Sequence, residues 1–339
     1  MNGFEETGVL ALDIVLGGGF RRGNMYEVAG PSGCGKTTVL QTLVRNAVKL
    51  NEWVVFIDAE KGVDKSVWEN LKITDKVTHD VKEHGNDKPL LHLRKESHVI
   101  GKVEELLDKK IEEGKTTHFI LDSIASLVPS QYLKGSVEDV AKQPGLDARL
   151  REVFLRKYHA LLGDEEDSVL WLINHTSTDF GGGGGFGGMS PTKSAGGKGV
   201  EYYCDRRVKM TSGSKITRRE NTINGLEEVK YGAVPKIHTV KNRVARSHIY
   251  VPCPIIYGRG ASNLLFMKDL LESKGFVMKS GGWRYLSKDD PKRGKDERDE
   301  KVNGDGELLK WVNDNYEELF KNLESLGCLD LAGGDFDEE

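Results

Sequence analysis

The 339-residue chain contains no apolar run long enough to cross a bilayer as a helix. Its first ten residues, MNGFEETGVL, are acidic and lack the basic and then apolar segments of a secretion signal. Only four cysteines occur, without a C-x-x-C pair or a paired histidine spacing, which argues against a disulfide framework and a metal site. We therefore expect free thiols, a cytoplasmic location and no membrane contact.

A surplus of positive charge is also missing. The formal net charge is −4 at pH 7, so the protein does not coat nucleic acid by bulk charge, and any such contact needs a local basic patch. Hydrophobic residues make up 37% and charged residues 30% of the chain, a composition typical of globular proteins. No internal repeat is visible. The length allows one large α/β core and a small appended domain.

The strongest motif lies at residues 25–50, MYEVAGPSGCGKTTVLQTLVRNAVKL. A short apolar strand leads into G-x-x-x-x-G-K-[ST] and then into a helix with one apolar face, which is the context of a phosphate-binding P-loop. The loop N–H groups and the helix N-terminus favour a polyanion. A chance match in a glycine-rich turn is the alternative, but it would lack this flanking strand and helix. The predicted nucleotide-binding residues are Gly30, Pro31, Ser32, Gly33, Cys34, Gly35, Lys36, Thr37 and Thr38.

Two P-loop side chains and one distant aspartate have specific predicted roles. Lys36 is expected to reach the β- and γ-phosphates, and the Thr37 hydroxyl is expected to ligate Mg²⁺. Asp122 ends another apolar segment, THFILD, where a carboxylate would hold Mg²⁺ opposite Thr37. The alternative for Asp122 is a helix N-cap.

Apolar strand segments alternate with amphipathic helical segments in the first half of the chain. Besides the P-loop strand, WVVFID, THFILD and VLWLIN are near-continuous apolar runs, as in strands buried on both faces of a parallel sheet. This alternation predicts an α/β fold with a doubly wound, mostly parallel sheet. Ligands bind such sheets at the carboxyl ends of the strands. The polar residues at or just beyond these ends include Glu60, Asp122 and His175.

Glu60 and His175 each allow two interpretations. Glu60 can accept a proton from the water that attacks the γ-phosphate, or it is an ordinary surface carboxylate. His175 can hydrogen-bond the γ-phosphate and couple hydrolysis to the following loop, or it is a satisfied histidine at a strand end. The residues alone do not decide between these roles.

Two stretches, 130–145 and 176–199, interrupt the alternating pattern. The second, TSTDFGGGGGFGGMSPTKSAGGKG, contains ten glycines and cannot bury apolar surface. We interpret it as a loop that a ligand orders rather than as a passive linker. Aromatic rings for base stacking and basic groups for phosphates occur in it and just after it. The predicted DNA-binding residues are Phe180, Phe186, Lys193, Lys198, Arg206 and Arg207.

The chain beyond residue 260 has a different character. Residues 262–286 indicate a helix and a short strand, 288–301 a solvated charged loop, and 307–326 another helix. The last ten residues hold five acidic groups and no basic one, which is typical of a disordered tail. The predicted parts are a core at 1–260, a small α+β domain at 261–329 and an acidic tail at 330–339.

Several segments, in order along residues 4–286, resemble the RecA family of recombinases. They are FEETGVLALDIVLGGGF, GPSGCGKTT, FIDAEKGVD, THFILDSIASLVP, AGGKGVEYYCDRRVKM, VKNRVARS, IIYGRGASN and GFVMKSGGWRYL. The NHT at residues 174–176 is similar to the UvsX-type phage recombinases. The resemblance implies a RecA-like P-loop ATPase core, doubly wound and mostly parallel, with a small α+β C-terminal domain.

The same resemblance implies roles for residues around the nucleotide. Glu60 would activate the hydrolytic water, His175 would sense the γ-phosphate, and Asp64 would bind the adenine amino group. Lys241 and Arg243 would reach the ATP of the neighbouring subunit and stabilise charge on the transferring phosphoryl group. The active site would then form only between two protomers.

The DNA partners are implied in the same way. The loops at 130–145 and 176–199 would line a filament axis and hold single-stranded DNA. We expect an ATP- and Mg²⁺-dependent recombinase that forms a helical filament, pairs single-stranded with homologous duplex DNA, and works with a single-strand-binding protein or loader.

Two alternatives remain. One is a recombinase paralogue or mediator with little ATP turnover, because the family's N-terminal helix and strand are not matched ahead of residue 4. The other is a ring-forming helicase or translocase of the same superfamily.

Overall fold

The computed structural model describes residues 3–134, 145–164, 167–178, 192–194, 197–223, 225–243, 250–327 and 329. The α-helices in these ranges are α1 (Leu10–Leu16), α2 (Lys36–Lys49), α3 (Lys65–Asn70), α4 (Ile100–Glu112), α5 (Ser130–Lys134), α6 (Leu146–Asp164), α7 (Gly197–Tyr203), α8 (Asn263–Ser273), α9 (Gly304–Asp314) and α10 (Tyr316–Ser325). Within these ranges, none of the helices is long and apolar enough to span a membrane.

The strands form one large sheet and one small sheet. They are β1 (Met25–Gly30), β2 (Trp53–Asp58), β3 (Val77–Thr78), β4 (Leu90–Leu93), β5 (Thr116–Asp122), β6 (Val169–Thr178), β7 (Thr192–Ser194), β8 (Arg206–Thr222), β9 (Gly225–Lys241), β10 (Val251–Pro252), β11 (Ile255–Ile256), β12 (Gly260–Ala261), β13 (Val277–Ser280), β14 (Trp283–Leu286) and β15 (Glu300–Asn303).

The large sheet has twelve strands, and its main path runs β12-β11-β9-β8-β1-β6-β5-β2-β4-β3. From β8 to β3 each strand is parallel to its neighbours. The strands β9 to β12 add an antiparallel extension at one side, and β7 pairs antiparallel with β6. The prediction of an α/β fold with a mostly parallel sheet is confirmed.

The central strands are apolar because both faces of the sheet are covered. Along β2, Val54 and Phe56 belong to one buried cluster, whereas Val55 and Ile57 belong to a second cluster on the opposite face. Helix α2 packs into the first cluster, and helices α4 and α6 pack into the second. Helices on both faces of a parallel sheet define the doubly wound arrangement.

The strands β8 and β9 are longer than the sequence indicates. The sequence predicts short basic strands at 206–211 and 236–241, but each strand runs for 17 residues. The two pair with each other from Arg207↔Lys241 to Thr222↔Gly225. The paired hairpin therefore extends well past the part of β8 that pairs with β1.

The C-terminal region contains the second sheet, β13-β14-β15. Its strand β15 begins at Glu300, within the last two residues of the stretch 288–301, for which the sequence indicates a solvated charged loop. This difference arises because β15 pairs with β14, a contact that local composition does not encode. Asn263 accepts a 2.9 Å hydrogen bond from Leu10 N, and helices α8 to α10 share a buried cluster with α1. The division at residue 260 stays a prediction.

Candidate active site

The P-loop joins β1 to α2 at the carboxyl edge of the sheet. Gly33 and Gly35 have φ of 73° and 101°, left-handed values that favour glycine. A Cβ on Gly35 would lie 2.4 Å from Ile255 Cδ1, so the end of that side chain would have to shift. Lys36 is buried, and its Nζ donates to Gly30 O at 3.0 Å and Pro31 O at 2.9 Å. The loop therefore forms the compact turn that the motif predicts.

Thr37 and Asp122 meet although 85 positions separate them. Thr37 Oγ1 donates to Asp122 Oδ2 at 2.8 Å, because the start of α2 and the end of β5 lie side by side. The other carboxylate oxygen, Oδ1, is buried and has no hydrogen-bond partner among the described residues. Burial raises the pKa of Asp122 to about 6, and the nearby carboxylates of Glu60 and Asp58 add to this effect.

This donor set fits Mg²⁺. A hydroxyl and a carboxylate with an unused buried oxygen are hard oxygen ligands of the kind that Mg²⁺ prefers. Across the described part of the chain there is no group of three or more His, Cys, Asp or Glu side chains able to hold a metal. The residues thus suit an ion that is shared with phosphates rather than one enclosed by protein.

Glu60 and His175 are in direct contact. His175 Nε2 lies 2.6 Å from Glu60 Oε1, and both side chains are about one-third exposed. Burial raises the pKa of the Glu60 carboxyl, but hydrogen bonds from Ser123 and His175 outweigh it and the net pKa is lowered. The carboxylate is therefore in its proton-accepting form at neutral pH.

Asp58 organises the turn that carries Glu60, a role that the sequence reasoning missed. Its buried carboxylate accepts hydrogen bonds from Gly62 N at 3.0 Å and Val63 N at 3.1 Å. Arg94 Nε lies 3.4 Å from the same carboxylate. The sequence does contain a signal for this role, because Asp58 ends an apolar strand segment and a glycine follows shortly after it. Asp58 therefore fixes the backbone that presents Glu60.

The P-loop, Glu60 and His175 line one cavity of about 270 Å³. Three further residues line the same cavity although the sequence predicts no role for them, namely Ala233, Ile255 and Tyr257. They come from β9 and from the IIYGRG segment, whose side chains reach the cavity only because β11 pairs with β9. The cavity adds an apolar and aromatic side to the phosphate site.

Asp64 has a local structural role. Its side chain accepts a 2.9 Å hydrogen bond from Ser66 N and caps helix α3. It is not among the residues that line the cavity. Nearby Trp68 is buried and donates to His92 Nδ1 at 3.1 Å, so its ring is not available to a ligand. The adenine contact of Asp64 stays a prediction.

Lys241 and Arg243 lie at the C-terminal end of α7. Lys241 Nζ donates to the backbone oxygens of Glu201 at 2.8 Å, Tyr202 at 3.1 Å and Cys204 at 2.7 Å. Burial and the adjacent Arg243 charge lower the pKa of Lys241. Arg243 is 65% exposed and lies 3.7 Å from Asp205. Their predicted contact with a neighbouring subunit stays a prediction.

Two of the predicted DNA-binding residues have partners inside the protein. Arg206 is 1% exposed, donates to Gly19 O at 3.0 Å and lies over the Phe4 ring. A DNA phosphate cannot reach this guanidinium, so the DNA-binding prediction for Arg206 is wrong. Arg207 forms a 2.5 Å ion pair with buried Glu27, which likewise commits it to the interior. Both inward positions follow from the pairing of β8 with β1, which the sequence does not reveal.

The remaining DNA-binding predictions fall largely outside the described residues. Phe180 and Phe186 lie there entirely. Lys193 belongs to β7 and Lys198 to α7, but their side chains also lie outside the described part. Of the segment 130–145, the structure describes α5 and residue 145. These assignments stay predictions.

The fold and the site together define a P-loop nucleotide-binding protein with a doubly wound α/β core. A family model that describes the RecA N-terminal domain matches residues 4–262. Protein RecA of Desulfotalea psychrophila is 32% identical over 280 residues, which cover 82% of this chain and 70% of that protein. Protein RecA of Picosynechococcus sp. is 30% identical over 290 residues, which cover 86% of this chain and 75% of that protein.

A longer match is found with Protein RecA of Crocosphaera subtropica, which is 27% identical over 336 residues that cover 98% of this chain and 87% of that protein. The chain belongs to the RecA family of recombinases. The resemblance to that family is thus confirmed, whereas its UvsX-type character stays a prediction.

Proposed function

We propose that this protein is an ATP-dependent DNA recombinase that assembles as a filament on single-stranded DNA and promotes homologous pairing and strand exchange. The observation that carries the proposal is the contact of Glu60 with His175 at 2.6 Å on the edge of the P-loop cavity. Both side chains line the same cavity as the P-loop, which supports roles for a proton acceptor and an imidazole at a γ-phosphate bound there. The family membership supports DNA recombination as the process that this hydrolysis serves.

The hydrolytic step follows from the residues around the cavity. Lys36 and the loop N–H groups would hold the phosphates, and Thr37 and Asp122 would hold Mg²⁺, which would neutralise negative charge on the phosphates. The Glu60 carboxylate accepts a proton from the attacking water. His175 hydrogen-bonds the γ-phosphate and is released from it after cleavage. Because His175 directly precedes the segment 176–199, a change in its contacts with the nucleotide would be passed to the proposed DNA loop.

The second half of the active site comes from a neighbouring protomer in this proposal. Lys241 and Arg243 carry positive charge near the surface at the end of β9, and Arg243 is largely exposed. Cations from a second subunit stabilise charge on the transferring phosphoryl group in many phosphoryl-transfer enzymes. Hydrolysis therefore depends on assembly of the filament.

The proposed partners are single-stranded DNA, homologous duplex DNA and a single-strand-binding protein or loader. The proposed location is the cytoplasm. The DNA is held by the segments 130–145 and 176–199. Lys193, Lys198, Phe180 and Phe186 supply charge and stacking surfaces there.

The test is ATP turnover with and without single-stranded DNA, paired with electron microscopy of the same mixtures and a strand-exchange assay. The recombinase proposal predicts stimulation by DNA, helical filaments and exchanged strands. Weak turnover with DNA binding but no exchange would favour a mediator. Rings in place of filaments, with unwinding or translocation, would favour a helicase or translocase. Either result overturns the proposal.

A further inference from the structure

A buried carboxylate lies in the central strand β1. Glu27 is 0% exposed and sits between β6 and β8, the two neighbours of β1. Its Oε1 accepts a hydrogen bond from Asn174 Nδ2 at 2.7 Å, and its Oε2 accepts one from Arg207 Nε at 2.5 Å. A buried charge is costly unless both oxygens are satisfied. Glu27 therefore fixes the side chains of both neighbours.

One end of this arrangement reaches the candidate active site. Asn174 is fully buried, and its Oδ1 accepts a 2.8 Å hydrogen bond from the backbone N of His175. The imidazole of His175 in turn contacts Glu60 at 2.6 Å. A displacement of the Glu27 carboxylate therefore acts on Asn174, and through it on the backbone from which His175 projects.

The other end reaches helix α7. Arg207 Nη1 lies 3.4 Å from Oε1 of Glu201, which belongs to α7. Helix α7 begins inside the glycine-rich segment 176–199 and leads directly into β8. A series of contacts thus runs from this helix to the site edge, in the order Glu201, Arg207, Glu27, Asn174, His175 and Glu60. All of them join side chains except the step from Asn174 to His175, which is made by the backbone N of His175.

We propose that Glu27 is a positioning residue through which DNA held by the segment 176–199 controls the Glu60–His175 pair. The inference rests on the proposed function for its DNA-dependent part. Hydrogen-bonded groups in a dry interior have few alternative arrangements, so a shift of α7 is transmitted rather than absorbed. Such coupling is established only by measuring it across the path.

The substitution Glu27→Gln breaks the path with the smallest change in shape. Asn174 and Arg207 donate to different oxygens of Glu27, and glutamine replaces one of these oxygens with an NH₂ group that would face a donor. The matched control is Glu52→Gln. The Glu52 carboxylate also accepts from two partners, His118 at 3.0 Å and Arg22 at 3.2 Å, but it precedes β2 and lies at the opposite edge of the sheet.

The first readout is ATP turnover at saturating single-stranded oligo-dT. We expect Glu27→Gln to lower kcat about tenfold while KM for ATP stays within about twofold, because Lys36 and the P-loop are not on the path. Glu52→Gln is expected to behave as wild type. Glu201→Gln weakens the contact between helix α7 and Arg207. Because the Glu201 side chain is 59% exposed, we expect this variant to fold normally and its kcat to fall about threefold.

The second readout needs neither ATP nor DNA. The ring ¹⁵N resonances of His175, assigned by comparison with His175→Gln, are expected to shift in Glu27→Gln and to stay unchanged in Glu52→Gln. If Glu27→Gln matches the control in both readouts, the proposal is overturned. A shift of His175 without loss of DNA-stimulated kcat removes the link to DNA. If wild type shows no stimulation by DNA, the proposed function fails, and the resonances alone decide whether Glu27 positions His175.

Discussion

Thr37 donates a 2.8 Å hydrogen bond to Asp122, and this contact joins the start of helix α2 to the end of strand β5. The buried carboxylate has its second oxygen unpartnered among the described residues, and its pKa is raised to about 6. Burying this carboxylate without a cation lowers the free energy of unfolding, and binding of a cation offsets that loss. The pair therefore makes a prediction about stability as well as about Mg²⁺.

We expect Asp122→Asn to stabilise the metal-free protein at pH 8. The pKa of Asp122 rises from 3.8 to about 6 on folding, so its carboxyl keeps a proton in the folded state between these values while the unfolded state has lost it. Stability from this group is therefore lost as pH rises from about 4 to about 6. The maximum penalty above that range is about 3 kcal/mol at 1.36 kcal/mol per pKa unit.

The measurement is urea unfolding of both proteins in EDTA at pH 5 and pH 8. The gain from Asp122→Asn is expected to be about 1–3 kcal/mol at pH 8 and smaller at pH 5. Asp75→Asn, at a side chain that is 77% exposed, is the control and is expected to change neither value. Mg²⁺-dependent ATP turnover is expected to be lost in Asp122→Asn. An equal or lower stability of Asp122→Asn at pH 8 would contradict the assigned cost.

Gly35→Ala is expected to abolish nucleotide binding. The new Cβ would lie 2.4 Å from Ile255 Cδ1, and the φ of 101° at this position is strained for alanine. We expect the affinity for a fluorescent ATP analogue to fall at least 100-fold, because the loop N–H groups lose their arrangement. Gly306→Ala, where a Cβ meets open space, is the control. Unchanged affinity in Gly35→Ala would show that the loop adapts.

Arg243→Ala is expected to abolish ATP turnover and to leave nucleotide binding intact. Its side chain is 65% exposed and makes one 3.7 Å ion pair, so the fold does not depend on it. A cation that completes the active site of a neighbouring subunit contributes about 10³-fold or more to kcat. Turnover and analogue binding are measured on the same preparation. Parallel loss of both would contradict a role across the subunit interface.

Arg206→Ala is expected to act on stability and not on DNA. The buried guanidinium donates to Gly19 O, and its removal leaves a cavity beside Tyr26 and Phe4. We expect a loss of about 2–4 kcal/mol in unfolding free energy, with unchanged affinity for oligo-dT below the melting temperature. Calorimetry measures the stability, and fluorescence anisotropy measures the affinity for oligo-dT. Reduced DNA affinity at unchanged stability would restore the original assignment.

Much of the fold was predictable because it is encoded in short contiguous patterns. The apolar runs WVVFID, THFILD and VLWLIN occupy β2, β5 and β6. Parallel strands that are buried on both faces must be apolar throughout, so they are visible in a sequence. The same logic predicted that Glu60, Asp122 and His175 meet at one edge.

The misjudged features depend on partners that are distant in the chain. Strand β15 begins within the last two residues of the charged stretch 288–301 because β14 pairs with it. Arg206 is buried where β8 pairs with β1. Tyr257 lines the cavity because β11 pairs with β9. None of these contacts has a local signature.

The sequence by itself determined the phosphate-binding turn, because the spacing of two glycines, Lys36 and Thr37 fixes backbone geometry within a few residues. It also determined the layered α/β architecture, through the lengths and periods of its apolar runs. Only the tertiary structure decided which basic residues face outward, because burial depends on all the elements packed around a side chain. It turned Arg207 inward to Glu27, because the pairing of β8 with β1 sets the two residues side by side, and it left Arg243 65% exposed just beyond the end of β9.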